Sequence, residues 1–130
     1  MNDILVPVSP GELLDKITIL QIKAERIDDP AKVANVNTEL QRLTEVWNQS
    51  VETDDVIEAL TQELKRINEA LWEIEDDIRD EERNKRFGER FIELARAVYV
   101  TNDQRAEAKK KINLHLNSTI IEEKSYQDYR

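Results

Sequence analysis

Seven apolar residues, Ile57, Leu60, Leu64, Ile67, Leu71, Ile74 and Ile78, recur at strictly alternating spacings of three and four. That spacing lines all seven along one stripe of an α-helix and fits no single face of a strand. The stripe sets a length as well as a type. A helix of about thirty residues spans roughly 45 Å, whereas a compact chain of this size has a radius of gyration of about 14 Å. The 130 residues therefore form an elongated antiparallel bundle, or this helix reaches past its own protomer. Two glycines and three prolines in the whole chain leave little for tight turns or hairpins, and no segment alternates with period two. The expected class is all-α: an elongated helical bundle of four to five main helices with a short C-terminal helix, one domain over residues 1–130.

The remaining elements follow from start and stop signals. Residues 1–8 read as an extended lead, because Pro7 and Pro10 exclude an earlier helix. Ser9, Pro10 and Glu12 make a capping-box start. Leu13, Ile17, Leu20, Ala24 and Ile27 form the seam of this first helix, with Leu14, Ile19 and Ile22 outside it. Apolar residues on more than one side place it centrally or share it with a second copy. Asp29-Pro30 opens a second helix along Val33, Val36, Leu40, Leu43 and Trp47, followed by a loop from Asn48 to Thr53. Asp54 or Asp55 starts the long third helix, expected to pair with the first. No apolar residue occurs from Arg79 to Arg86, which predicts a corner near Asn84. Phe87, Phe91, Leu94 and Val98 resume the pattern in a fourth helix. Thr101 to Gln104 reads as a fresh capping box opening a fifth helix to about Leu116. Thr119 to Glu122 reads as another, before a short last helix and a polar tail over 127–130.

Charge narrows the function classes. The net charge is −9, from 28 acidic and 19 basic side chains, which excludes a broad basic surface for nucleic acid. The acidity is local: residues 52–82 hold thirteen acidic and three basic side chains, and the rest is near neutral. A small anionic ligand therefore stays compatible with the composition. No run of eighteen apolar residues exists, so no membrane span is expected, and a start without a basic, apolar leader points to the cytoplasm. The absence of cysteine removes disulfides, thiolate zinc sites and cysteine nucleophiles. His115 is the only histidine, too few for the paired Glu-x-x-His sets of di-iron bundles.

Three constellations could carry chemistry. Glu73, Asp76 and Asp77 belong to a dense acidic cluster that could hold Mg²⁺ or Mn²⁺ in an all-α nucleotide pyrophosphohydrolase. On a helical wheel, however, the cluster centres roughly 145° from the apolar stripe. It faces water, so no metal site and no cofactor is favoured. Trp72, Glu75 and Arg79 lie on the flank of the stripe. They make either a surface ion pair beside an edge tryptophan or the wall of a shallow cleft. Asn102, Asp103, Arg105, Lys109 and Asn113 form a polar set in the C-terminal third, where Arg105, Lys109 and Asn113 share one helix face. On the structural reading, Thr101 or Asn102 caps and the tail docks through Tyr126. On the functional one, Arg105 and Lys109 join Arg79, Lys16 and Lys23 around an anion, with Lys124 and Tyr126 from the tail nearby.

The string Ser9-Pro-Gly-Glu-Leu-Leu-Asp-Lys-Ile-Thr-Ile-Leu20, the block Leu71-Trp-Glu-Ile-Glu-Asp76 with Arg79, Leu94-Ala-Arg96 with Tyr99, Asn102-Asp-Gln-Arg-Ala106, Ile112-Asn113 and Glu122-Glu-Lys-Ser-Tyr126 together resemble a family of small uncharacterised bacterial proteins. The resemblance implies a helical fold, no activity that can be named, and a neighbourhood of surface-polysaccharide genes. The leading expectation is a non-catalytic binding or adaptor module acting as a homodimer, through its dimer surface or a polar pocket toward a protein partner or an anionic small molecule. The rivals are the metal-dependent nucleotide hydrolase and a pocket for an anionic metabolite such as a sugar nucleotide.

Overall fold

Four helices make up the protein in a computed structural model that describes residues 1–130: α1 (Pro10–Arg26), α2 (Pro30–Ser50), α3 (Asp55–Arg83) and α4 (Glu89–His115). There is no strand, and the class is an all-α helical bundle. Three of the four starts are made by the side chains that the sequence marks. Ser9 Oγ accepts the Glu12 N–H at 3.2 Å, Asp29 the Ala31 N–H at 2.9 Å and Asp54 the Ile57 N–H at 2.8 Å. Each satisfies one of the backbone donors that a helix leaves open at its N-terminus. Glu12 does not complete the box; its carboxylate accepts from Lys109 instead.

The helix α1 is the centre of the molecule and packs against the other three. Its two apolar sides explain why. Leu13, Ile17 and Leu20 of the seam are buried, and so are Leu14 and Ile22 outside it. The core cluster joins Leu13, Leu14 and Ile17 to Trp47 of α2, Ile57 and Leu64 of α3, and Ala108 and Ile112 of α4. Trp47 donates its indole N–H to Thr53 Oγ1 at 3.0 Å, which satisfies the one polar atom it buries.

The long packed pair is α3 with α4, not α3 with the first helix as the stripe suggests. The two run antiparallel. Asp77 meets Arg90 near the corner at 3.5 Å, and Asp54 meets His115 at the other end at 2.7 Å. The corner falls where expected: Asn84 caps α3, and Lys85 takes a positive φ of 54°.

Two expected features are replaced. Residues 89–115 form one helix, with no break at Thr101. A capping box starts a helix only where the preceding backbone has left helical geometry, and no glycine or proline after Gly88 forces it to do so. The short C-terminal helix is also absent. At Ser118 the side chain turns the chain locally: its Oγ accepts from the Ile120 N–H at 3.1 Å and donates to the Ile120 carbonyl at 2.7 Å. Such a turn competes with helix nucleation, which is costly for a segment this short. Residues 119–130 run as an irregular strap beside α4. Residues 1–8 form no helix or strand, and Asp3 pairs with Arg42 of α2. No helix is long and apolar enough to cross a membrane.

Candidate functional site

Where α1 crosses the α3–α4 hairpin, a buried polar knot holds the three helices in register. Asp15 of α1 is 1% exposed and lies under Arg105 of α4, whose Nε donates to Asp15 Oδ1 at 2.8 Å while Nη2 pairs with Oδ2. Asn68 of α3 donates through Nδ2 to Asp15 Oδ1 at 3.0 Å and to Thr18 Oγ1 at 3.1 Å. Thr18 Oγ1 in turn donates a hydrogen bond to the Asp15 carbonyl oxygen at 3.0 Å. No buried side-chain polar atom is left without a partner. The two-pronged hydrogen bond to Asp15 raises the Arg105 pKa, against the opposing pull of burial. Arg105 stays cationic, and its Nη1 makes no hydrogen bond.

Above the knot, α1 veers toward the outer side of α3, where Arg26 reaches Glu73 at 3.4 Å and Glu69 at 3.8 Å. The hairpin is left open on the other side. The opening is a cleft of about 530 Å³ with Ile22, Leu71 and Asn68 at its base. Its walls bring Lys23 of α1, Trp72, Glu75 and Arg79 of α3, and Asn102 and Arg105 of α4 to one place. Five of the candidate residues thus converge on one site. Lys23 is half-buried there and makes no ion pair. Arg79 pairs with Glu75 one turn away but keeps 71% of its side chain exposed, so it can swing to another anion at small cost.

The other candidates lie elsewhere. Lys109 is 12% exposed and lies between Glu12 at 2.6 Å and Glu122 at 3.1 Å. Burial lowers its pKa, but the hydrogen bonds it donates to the two carboxylates, with their negative charge, outweigh this and leave it raised. Asn113 is buried and accepts the Gly11 N–H at 2.7 Å, which fixes the start of α1 against α4. Asp103 takes Lys124 and, at 3.7 Å, Arg130 of the strap. Lys16 is exposed, 3.8 Å from Glu12, and does not line the cleft. Tyr126 is 86% exposed, and the strap docks through Tyr129 instead, edge-on to Tyr99 at 5.0 Å. The hollows under the strap, about 410 and 230 Å³, are lined largely by paired charges, Lys109, Glu122, Asp103 and Lys124 among them. That makes the Lys23 cleft the better site for an external charge.

The metal alternative finds no arrangement to support it. Glu73 is engaged by Arg26, Asp77 by Arg90, and Asp76 lines the cleft. No three acidic, histidine or cysteine side chains are grouped so as to hold a metal ion. The residues missed on the sequence are Asp15, Asn68 and Thr18. Asp15 carried a signal: Ile19 and Ile22, one and two turns on, share its helix face, so a charge there stands among apolar positions.

The model of a family of unknown function, DUF6165, matches residues 4–129. The chain belongs to that family. In this DUF6165 protein the match takes in all four helices and almost all of the strap, so the cleft and the polar knot both lie within it. No curated protein and no solved structure matches the chain.

Proposed function

We propose that the protein is a non-catalytic, homodimeric binding module whose cleft between α1, α3 and α4 takes a small anionic molecule in the cytoplasm. The observation that carries this reading is the convergence of Lys23, Trp72, Arg79, Asn102 and Arg105 on one open cleft. Each group has a task there. Lys23 offers an unmatched ammonium, and the free Nη1 of Arg105 and the mobile Arg79 offer planar donors suited to phosphate or carboxylate. Trp72 offers a ring face against which a base or sugar can lie. Beneath them, Asp15 and Asn68 hold Arg105 in one orientation, so little side-chain freedom is lost on binding. A nucleoside diphosphate fits that chemistry. A sugar nucleotide is such a ligand, in keeping with the resemblance to proteins near surface-polysaccharide genes.

The test is ligand-induced stabilisation with uridine diphosphate and with inorganic pyrophosphate, each added first without metal and then with Mg²⁺ or Mn²⁺. A ligand about a hundredfold above its Kd stabilises the fold by about 2.7 kcal/mol, which thermal unfolding resolves. The expected outcome is an upward shift with uridine diphosphate that is lost in Lys23→Ala and Arg79→Ala, two variants whose side chains support no core contact. A shift that survives both substitutions overturns the assignment of the cleft. A shift that requires Mg²⁺ or Mn²⁺ and disappears in Asp76→Ala returns the hydrolase reading instead.

A further inference from the structure

Between Asn68 and Ala108 only Leu94 is buried. This stretch is the distal half of the α3–α4 hairpin, and α1 ends at Arg26, which reaches no farther along α3 than Glu73. The third helix is 29 residues long and α1 only 17, roughly 44 against 26 Å, so α1 is too short to cover it. The whole chain exposes 9361 Å². A monomer of 15.2 kDa is expected to expose about 7,100 Å². The exposed apolar residues lie both at the chain ends (Ile4, Leu5, Val6) and on the distal hairpin (Phe87, Ile92, Tyr99). A stable interface needs about 800 Å² from each partner.

The bare part has a definite face. Asn102, Arg105, Lys109 and Asn113 mark the side of α4 turned to α1. At 100° per residue the same side continues toward the corner as Val98, Ala95 and Phe91. On α3 the side marked by Asn68 continues as Glu75 and Arg79. Phe91, Ala95 and Val98 are only half-buried, and Phe87, edge-on to Phe91 at 5.3 Å, is 53% exposed. Two helices alone are one layer, and a stable fold needs a second.

We propose that this second layer is another copy of the chain, its hairpin laid antiparallel across Phe91, Ala95 and Val98. The face is self-complementary about a two-fold axis, as an isologous contact requires. The Asp77–Arg90 bridge sets Asp77 of α3 level with Phe91 of α4. An axis at that level puts Phe91 against the partner's Phe91. It also puts Glu75 against the partner's Arg79 and Arg79 against the partner's Glu75, because the two residues lie symmetrically about Asp77. The partner's corner then lies over the open side of the cleft and walls it. The arrangement rests on the dimeric reading above and assigns it a surface.

The chain has no cysteine, so single-cysteine variants report the contact directly. Sedimentation equilibrium at tens of micromolar is expected to give twice 15.2 kDa for the unmodified protein and a monomer with unchanged helical circular dichroism for Ala95→Glu. Under mild oxidation Phe91→Cys is expected to form a disulfide-linked dimer, while Gln41→Cys, on the exposed face of α2, does not. A monomeric unmodified protein overturns the dimer and this surface with it. A dimer that survives Ala95→Glu, or that cross-links through Gln41→Cys and not Phe91→Cys, overturns the surface alone and leaves the dimer standing.

Discussion

Gly11 shows how closely α1 and α4 approach. A Cβ built there would lie 2.5 Å from the Lys109 carbonyl oxygen and 2.9 Å from Asn113 Oδ1. The first of these is backbone and cannot rotate away, so the helices must separate. Gly11→Ala is therefore expected to destabilise the fold by about 1–3 kcal/mol, the usual range for overpacking a well-filled contact. Urea denaturation measures it, and an unchanged midpoint would mean that the helices part freely there. At this scale the sequence was legible where partners are local. Ser9, Asp29 and Asp54 cap, and Glu75 and Arg79 pair, because three or four residues of helix fix those distances. Asp15 and Asn68, 53 residues apart, meet only because α1 crosses α3 at that point. No spacing encodes that crossing, so the knot beneath the cleft was invisible even though five of the candidate residues line the cleft.

Among the elements, the continuity of α4 separates two readings of the same residues. A helix starting at Thr101 would place Asn102 at its first position, where proline is well tolerated. In the observed helix Asn102 sits mid-ladder, so Asn102→Pro removes a backbone hydrogen bond and sets its ring against the carbonyl of Val98. The expected cost is about 3 kcal/mol or more. Retention of the original stability in a thermal melt would favour a break. Capping signals misled here and at Thr119 because they are read from side chains alone, whereas the backbone around them decides whether a helix begins. The apolar stripes were the reliable signal. They marked all four observed helices, and of the two places that the two-sided first helix allowed, central or shared with a second copy, the fold shows it central.

Over the whole molecule, two exposed carboxylates fasten segments distant in sequence. Asp54, at the head of α3, is held below its ordinary value of 3.8 chiefly by the hydrogen bond to His115. Asp103 is held below 3.8 chiefly by Lys124 of the strap, with Tyr129 second. A carboxylate with a lowered native pKa lends stability that is complete above its unfolded value and is lost as the pH falls through the native one. Both ties should thus hold from neutrality down to about pH 4 and loosen below it. Hydrogen exchange of residues 119–130, corrected for the intrinsic rate, checks this. A strap that loosens already between pH 7 and 5 would show that a group other than Asp103 holds it.

The uninterrupted α4 has one more consequence. It carries Phe91 near one end, Asn102 and Arg105 at its middle and Asn113 near the other, with no glycine or proline from Glu89 onward. Such a rod has no joint. Any roll about its axis that improves the grip of Arg105 on a guest must turn Phe91 through the same angle. A guest that turned α4 about its axis would therefore carry Phe91 with it, and would gear the cleft to whatever rested on the distal hairpin, as two cogs on one shaft.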